Sequence, residues 1–251
     1  FRAQQVIVSA HAFGTAKLLT HMHHDGQLSK LSDRVGHRAR TNSEQLISVS
    51  VPYDVWKEDP HRYHFVPGSV SVTSAAWPDR STSCEPVFYG VGSDAMALLL
   101  TWHQEGSQKH PLENWLKETL HHPGRIKDTL DERHWSERTS IFTNMQSKDN
   151  YIDLYWGGEV LRSRKPAHPE TPLKVHIPEI EDFIDRVRAQ MVGAQEDSLD
   201  FELLNTNASS HFIGGMTIGT SADDGVIDPY LRAYGYEGLH IMDGSVMPAN
   251  P

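Results

Sequence analysis

The sequence predicts an α/β fold in two parts: the edge of a parallel strand–helix layer, and a larger, mainly antiparallel sheet with flanking helices. Three observations predict it. An apolar, β-branched run near the start leads through a turn into a helical pattern, the middle holds several runs that alternate apolar and polar residues, and the last fifth is dense in glycine.

Gln5-Val6-Ile7-Val8-Ser9-Ala10 reads as a buried parallel strand. A turn at His11 to Gly14 follows, and Thr15 is placed to cap a helix with Ala16, Leu18, Leu19 and Met22 on its apolar face, ended by Gly26. This is one half of a βαβ unit. Leu46 to Val51 and Ser69 to Thr73 alternate with period two, and Cys84 to Tyr89, Thr139 to Met145 and Tyr151 to Trp156 are further strand candidates. Ser147 to Asn150 has the composition of a hairpin turn between the last two, so antiparallel pairing is expected. Helices are expected at Ser93 to Trp102, Leu112 to His121 and Ile126 to Leu130, the last two separated by Pro123-Gly124. A longer amphipathic helix is expected over Pro178 to Val192, with Ile180, Phe183, Ile184, Val187 and Met191 at helical spacing. From Asn205 to Pro251 the glycines require tight turns, or a backbone that something approaches closely.

Composition narrows the function. With 251 residues, 38% hydrophobic and 22% charged, the chain can bury a sizeable core. A formal charge of −10 argues against a nucleic-acid partner and against electrostatic docking on anionic lipid. Cys84 is the single cysteine, so no intrachain disulfide exists. No apolar run reaches the length of a transmembrane helix. The chain opens at Phe1 without a signal-peptide pattern and stops at Met247-Pro248-Ala249-Asn250-Pro251, as expected of an internal stretch of a longer protein.

The closing stretch carries four linked motifs: His211-Phe212-Ile213-Gly214-Gly215, Gly225-Val226-Ile227-Asp228, Gly235-Tyr236-Glu237-Gly238-Leu239 and Asp243-Gly244-Ser245. In order and spacing they resemble the flavin-binding end of the glucose–methanol–choline (GMC) oxidoreductases. Val8-Ser9-Ala10-His11-Ala12-Phe13-Gly14-Thr15 resembles that family's strand–turn–helix beside the dinucleotide, with His11 where the family has glycine. In the middle, Arg40 to Glu44, Tyr89 to Met96, Trp135 to Thr139 and Met145 to Ser147 are similar to the sterol-oxidase branch.

The resemblance implies FAD as cofactor and a carboxyl-terminal part of an FAD-binding Rossmann-type domain, residues 1–40 and 226–251. Residues 41–225 would form a substrate domain. It implies oxidation of a secondary alcohol, a 3β-hydroxysterol such as cholesterol, to the ketone with molecular oxygen as acceptor and isomerisation of the double bond as a second step. A non-steroid alcohol or another electron acceptor is one alternative, and a non-catalytic sterol-binding or interaction module is another.

By the same resemblance His211 faces the flavin and positions the substrate hydroxyl, a task that suits a group titrating near neutrality. Glu137 matches a glutamate implicated in moving the steroid double bond, and in an apolar cavity its pKa would be raised. Its other reading is a surface carboxylate paired with Arg133 or Arg138. Ala10, His11, Asp243 and Gly244 would contact the cofactor. No metal site is expected, and His21, His23 and His24 read as exposed. Trp102, Trp115, Trp135 and Trp156 read as core. No Gly-x-Gly-x-x-Gly occurs in these residues, and the family's asparagine partner of the catalytic histidine is expected beyond Asn250-Pro251. The 251 residues alone are accordingly expected to be inactive.

Overall fold

The computed structural model describes residues 2–65, 71–72, 74–104, 110–166, 175–204 and 209–250. It divides into two compact units, one of Phe1–Asn42, Ser147–Leu173 and Ser209–Pro251, the other of Ser43–Gln146 and Lys174–Ala208. Residues 147–173 and 209–225, placed with the substrate domain on the sequence, group by contact with the first unit.

In the first unit the strand Val6–Val8 runs into the helix His11–His24, and pairs in parallel with Leu239–Ile241, Ile7 facing His240. The helix begins at His11, four residues before the expected cap. Thr15 is buried inside it, and its hydroxyl accepts from the Ala10 N–H at 3.1 Å. Val6 and Ile7 are 47% and 61% exposed, against the burial expected of a parallel strand, because Leu239–Ile241 is its one partner among the described residues. Ala16 and Leu19 pack with Leu31, Val35, Met216, Ile227 and Ile241 in one apolar core. Two further pairs complete the unit: Ala39–Arg40 with Ile213–Gly214, and the hairpin Asp153–Gly157 with Val160–Arg164.

The second unit is built on an antiparallel sheet. Its order is Ser71–Val72, Thr82–Phe88, Thr139–Gln146, Gln45–Ser50, Gln195–Leu199, Leu100–Trp102, with Ala76–Asp79 also on Thr82–Phe88. Alternation gives each face its own core. Ile47, Val49 and Phe142 point to one side and pack against Ile177, just before a short 3₁₀ turn, Ile180 within that turn, and Ile184 of the helix Glu181–Ala189. Ile141 and Leu46 point to the other, against Ala97, Leu100 and Trp135. The expected Ser69–Thr73 strand is seen only at Ser71–Val72, and the rest lies outside the described residues.

Three expectations are corrected. Ser93 to Trp102 is a 3₁₀ helix at Asp94–Leu99 followed by the strand Leu100–Trp102, because β-branched Thr101 and Trp102 gain more by pairing with Asp197 and Ser198. Ser147–Asn150 does not close a hairpin: Thr139–Gln146 stays in the large sheet, and Asp153–Gly157 pairs with the unforeseen strand Val160–Arg164. The amphipathic helix is shorter than expected, ending at Ala189, although Ile184 lies fully buried on its inner face.

Candidate functional site

The pairing of Ile213 with Arg40 and Gly214 with Ala39 fixes what lies beside the histidine of the glycine motif. Carried two residues on, that antiparallel register sets His211 opposite Asn42. The Asn42 amide nitrogen lies 3.0 Å from His211 Nδ1. The Ser209 hydroxyl lies 3.4 Å from Asn42 Oδ1, and accepts from the His211 backbone N–H at 3.1 Å. These three contacts form a closed ring with one consistent direction. The Asn42 nitrogen, which can only donate, faces the imidazole, so Nδ1 accepts and the proton of a neutral ring stands on Nε2, while the Asn42 oxygen accepts from Ser209. His211 itself is exposed.

The two glycines behind His211 have separate reasons. Gly214 has φ +74°, and a Cβ there would stand 2.5 Å from the Arg38 carbonyl oxygen, so backbone passes where a side chain would be. Gly215 has room for a Cβ, with its nearest neighbour at 3.8 Å, but its φ of +96° disfavours any other residue.

The four residues expected at the cofactor lie together at the start of the long helix. Asp243 extends from the end of Leu239–Ile241, which the parallel pairing sets beside Val6–Val8. Its Oδ2 accepts from the Thr15 hydroxyl at 2.5 Å and its Oδ1 from the Ser245 N–H at 2.8 Å. Burial pushes the Asp243 carboxyl up, but hydrogen bonds from Ser245, Thr15 and the Ala10 backbone outweigh it and hold it below the ordinary carboxylate range. Gly244 lies against Ala12, its added Cβ 3.6 Å from the alanine methyl. His11 has φ +64°, so this histidine adopts the left-handed conformation that glycine takes readily. No side chain caps this helix. Its first-turn N–H groups and an ionised carboxylate are the donor and acceptor set that a dinucleotide's phosphates and hydroxyls require, so the residues present fit such a group.

Glu137 lies in the second unit, in the turn Trp135–Arg138 just before Thr139–Gln146. Its carboxylate meets His134 Nδ1 at 2.7 Å and His64 Nδ1 at 3.5 Å, with the side chain 19% exposed. The apolar surroundings expected of it are therefore replaced by two imidazoles. Neither neighbouring arginine pairs with it: Arg133 binds Asp131, and Arg138 is buried against the backbone carbonyls of Val51 and Arg133.

The same unit holds an apolar cavity of about 320 Å³, lined among others by Phe65, Phe88, Phe142, Phe183, Val187 and Met191. Cys84 also faces it, and burial pushes that thiol up to about 12, so it lines the cavity as a neutral, inert group.

Sequence reasoning missed Asn42 as the partner of His211. Asn250, weighed against the family's asparagine, gives its amide nitrogen to the Thr41 carbonyl at 2.8 Å. His21 stacks on Trp156 with ring centroids 4.3 Å apart and pairs with Asp25, while Trp102 and Trp135 are buried in the core.

Residues 173–251 match the model of the GMC oxidoreductase family's carboxyl-terminal domain. Over its full length the chain is 36% identical to a cholesterol oxidase of Mycobacterium tuberculosis and 29% identical to a cholesterol oxidase of Acinetobacter baumannii. It spans 43% and 44% of the length of those two proteins. A solved structure of formate oxidase aligns with the whole chain over 51% of its own length, at 15% identity and a TM-score of 0.48. By its motifs and its relatives, the chain is similar to the GMC oxidoreductases, and residues 173–251 match that family's carboxyl-terminal domain.

Proposed function

We propose that the chain is part of an FAD-dependent alcohol oxidoreductase that converts a 3β-hydroxysterol such as cholesterol to its ketone, with molecular oxygen as the electron acceptor. The observation that carries this reading is the Ser209–Asn42–His211 ring, set at the glycine pair of the family motif. FAD, when bound, supplies the hydride acceptor for the carbinol hydrogen. His211, with its proton on Nε2, offers an N–H to the alcohol oxygen. It steadies the negative charge that grows there as the hydroxyl proton passes to solvent water, and fixes which face of the carbinol carbon is presented. In this tautomer His211 holds the oxygen rather than taking its proton.

Asp243, its orientation locked by Thr15 and Ser245, presents an ionised carboxylate that suits cofactor hydroxyls. The first-turn N–H groups of the helix that begins at His11, next to Gly244, suit the cofactor's phosphates. Glu137 is the residue proposed to move the steroid double bond. Imidazoles at both its oxygens give a proton it takes up somewhere to pass. The apolar cavity of the second unit supports a hydrocarbon-rich substrate, since its volume lies within the usual range of small-molecule sites.

The test is oxygen consumption by the whole protein with sterols, aryl alcohols and sugar alcohols. A sterol rate at least ~10-fold above the others, equivalent to a difference of about 1.4 kcal/mol in the barrier, supports the reading. Equal or faster turnover of an aryl or sugar alcohol removes the sterol from it.

A further inference from the structure

We propose that His103, His176 and Glu181 form a binding site for a divalent transition-metal ion of the zinc class, tying a strand end of the second unit to the start of its helix. His103 Nε2 lies 3.2 Å from each carboxylate oxygen of Glu181, and His176 Nδ1 lies 3.1 Å from Glu181 Oε1. All three donor atoms fall within 4.8 Å of one another. Zinc with nitrogen and oxygen ligands at ~2.0–2.2 Å in a tetrahedron spaces those ligands by roughly 3.3–3.5 Å. The spacings of both imidazoles to Glu181 are near that value already.

The backbone holds these positions in advance. His103 follows the strand Leu100–Trp102, and its N–H donates to the Glu196 carbonyl at 2.9 Å. His176 precedes fully buried Ile177, whose N–H donates to Gln45 Oε1 at 2.8 Å. Glu181 is the first residue of the helix Glu181–Ala189. The side chains are 1%, 12% and 19% exposed in that order, so the cluster is enclosed rather than a solvated surface triad.

Charge favours a dication. Two imidazoles share one carboxylate, that of Glu181. The carboxylates of Glu196 and Glu202 also act on His103, and Arg188 pairs with Glu196 at 2.6 Å. Two imidazole nitrogens and one carboxylate oxygen select zinc and its neighbours over magnesium or calcium. Three protein ligands leave a fourth position for water. The ion would join residues 78 positions apart in sequence, so its effect is read in stability, independent of the alcohol chemistry.

The experiment strips the full chain of metal and titrates it with Co²⁺, following the visible absorption of the bound ion, with Zn²⁺ as competitor and the melting temperature as second readout. We expect one tight equivalent and a higher melting temperature with Zn²⁺. Glu181→Gln and His176→Gln, both close to isosteric, should each weaken binding by at least ~10–100-fold and abolish the thermal shift. Their melting in chelator shows whether they fold, and the wild-type titration stands without them. The variant His21→Ala/His23→Ala/His24→Ala removes the partly exposed histidines and should keep the equivalent. Absence of a tight equivalent in the wild type, its survival in Glu181→Gln, or its loss in the triple variant overturns the proposal.

Discussion

Asn42 and His211 face each other across two extended segments, with the asparagine amide nitrogen 3.0 Å from the imidazole Nδ1. The contact decides the histidine's tautomer. An amide that donates to Nδ1 leaves the ring's own proton on Nε2, and the asparagine oxygen accepts in turn from the Ser209 hydroxyl.

Asn42→Asp should reverse that relationship. A carboxylate accepts from Nδ1–H and favours the charged ring, so the pH profile of kcat/KM should move upward by roughly 1 unit. Asn42→Ala should lower turnover with no such upward move. An unchanged profile in Asn42→Asp would show that Asn42 does not control the histidine.

Gly214→Ala should destabilise the first unit by roughly 2–4 kcal/mol, combining the strain of a side chain at positive φ with a clash against the Arg38 carbonyl. Gly215→Ala, with strain but no clash, should cost about 1 kcal/mol. Thermal or urea unfolding checks both, and equal losses would contradict the separate reasons given for the two glycines.

Asp197 sets a pH dependence in the second unit. It is fully buried in the sheet, and burial pushes its carboxyl from 3.8 up to about 6, against the Thr129 hydroxyl at 2.6 Å and the Gln195 amide at 3.3 Å. A raised folded-state pKa means that the folded chain holds a proton the unfolded chain releases. The associated stability is complete below about pH 4 and is lost as pH rises through about 6. The loss is on the order of 3 kcal/mol. Asp197→Asn should flatten the curve between pH 4 and 6 relative to wild type, as measured by urea unfolding across that window. Parallel curves would refute it.

Much of this architecture was legible in the residues, and what was not has physical causes. The strand–helix opening and the period-two runs Gln45–Ser50 and Thr139–Gln146 follow from apolar spacing. Gln195–Leu199 did not, because Glu196, Asp197 and Ser198 read as solvent-facing. They are buried with partners outside the strand, Arg188 for the first and Thr129 for the second. The motif pointed to His211, but Asn42 becomes visible only once Ala39–Arg40 is paired with Ile213–Gly214, a register that no local pattern specifies. His103, His176 and Glu181 were unmarked because their spacing in sequence follows no metal motif. His11 shows the reverse: its departure from the family's glycine was plain in sequence, and the backbone keeps the glycine-like φ of +64°.

Glu137→Gln separates two chemistries in the whole protein. It keeps the side chain's shape beside His134 but cannot take a proton as a carboxylate does. Oxidation of cholesterol should persist, while formation of the conjugated ketone falls by ~10²-fold or more. Resolving the unconjugated from the conjugated ketone by absorbance reads the outcome, and equal yields from variant and wild type would remove Glu137 from the site.

The most direct measurement compares cholesterol oxidation by the flavin-loaded whole protein with that of its His211→Ala variant, flavin content being quantified in both. Loss of the Nε2–H that holds the alcohol oxygen should lower turnover by ~10²–10⁴-fold while flavin content stays at the wild-type level. Turnover within threefold of wild type, or a loss explained by missing flavin, would contradict the role given to His211 and to the ring that orients it.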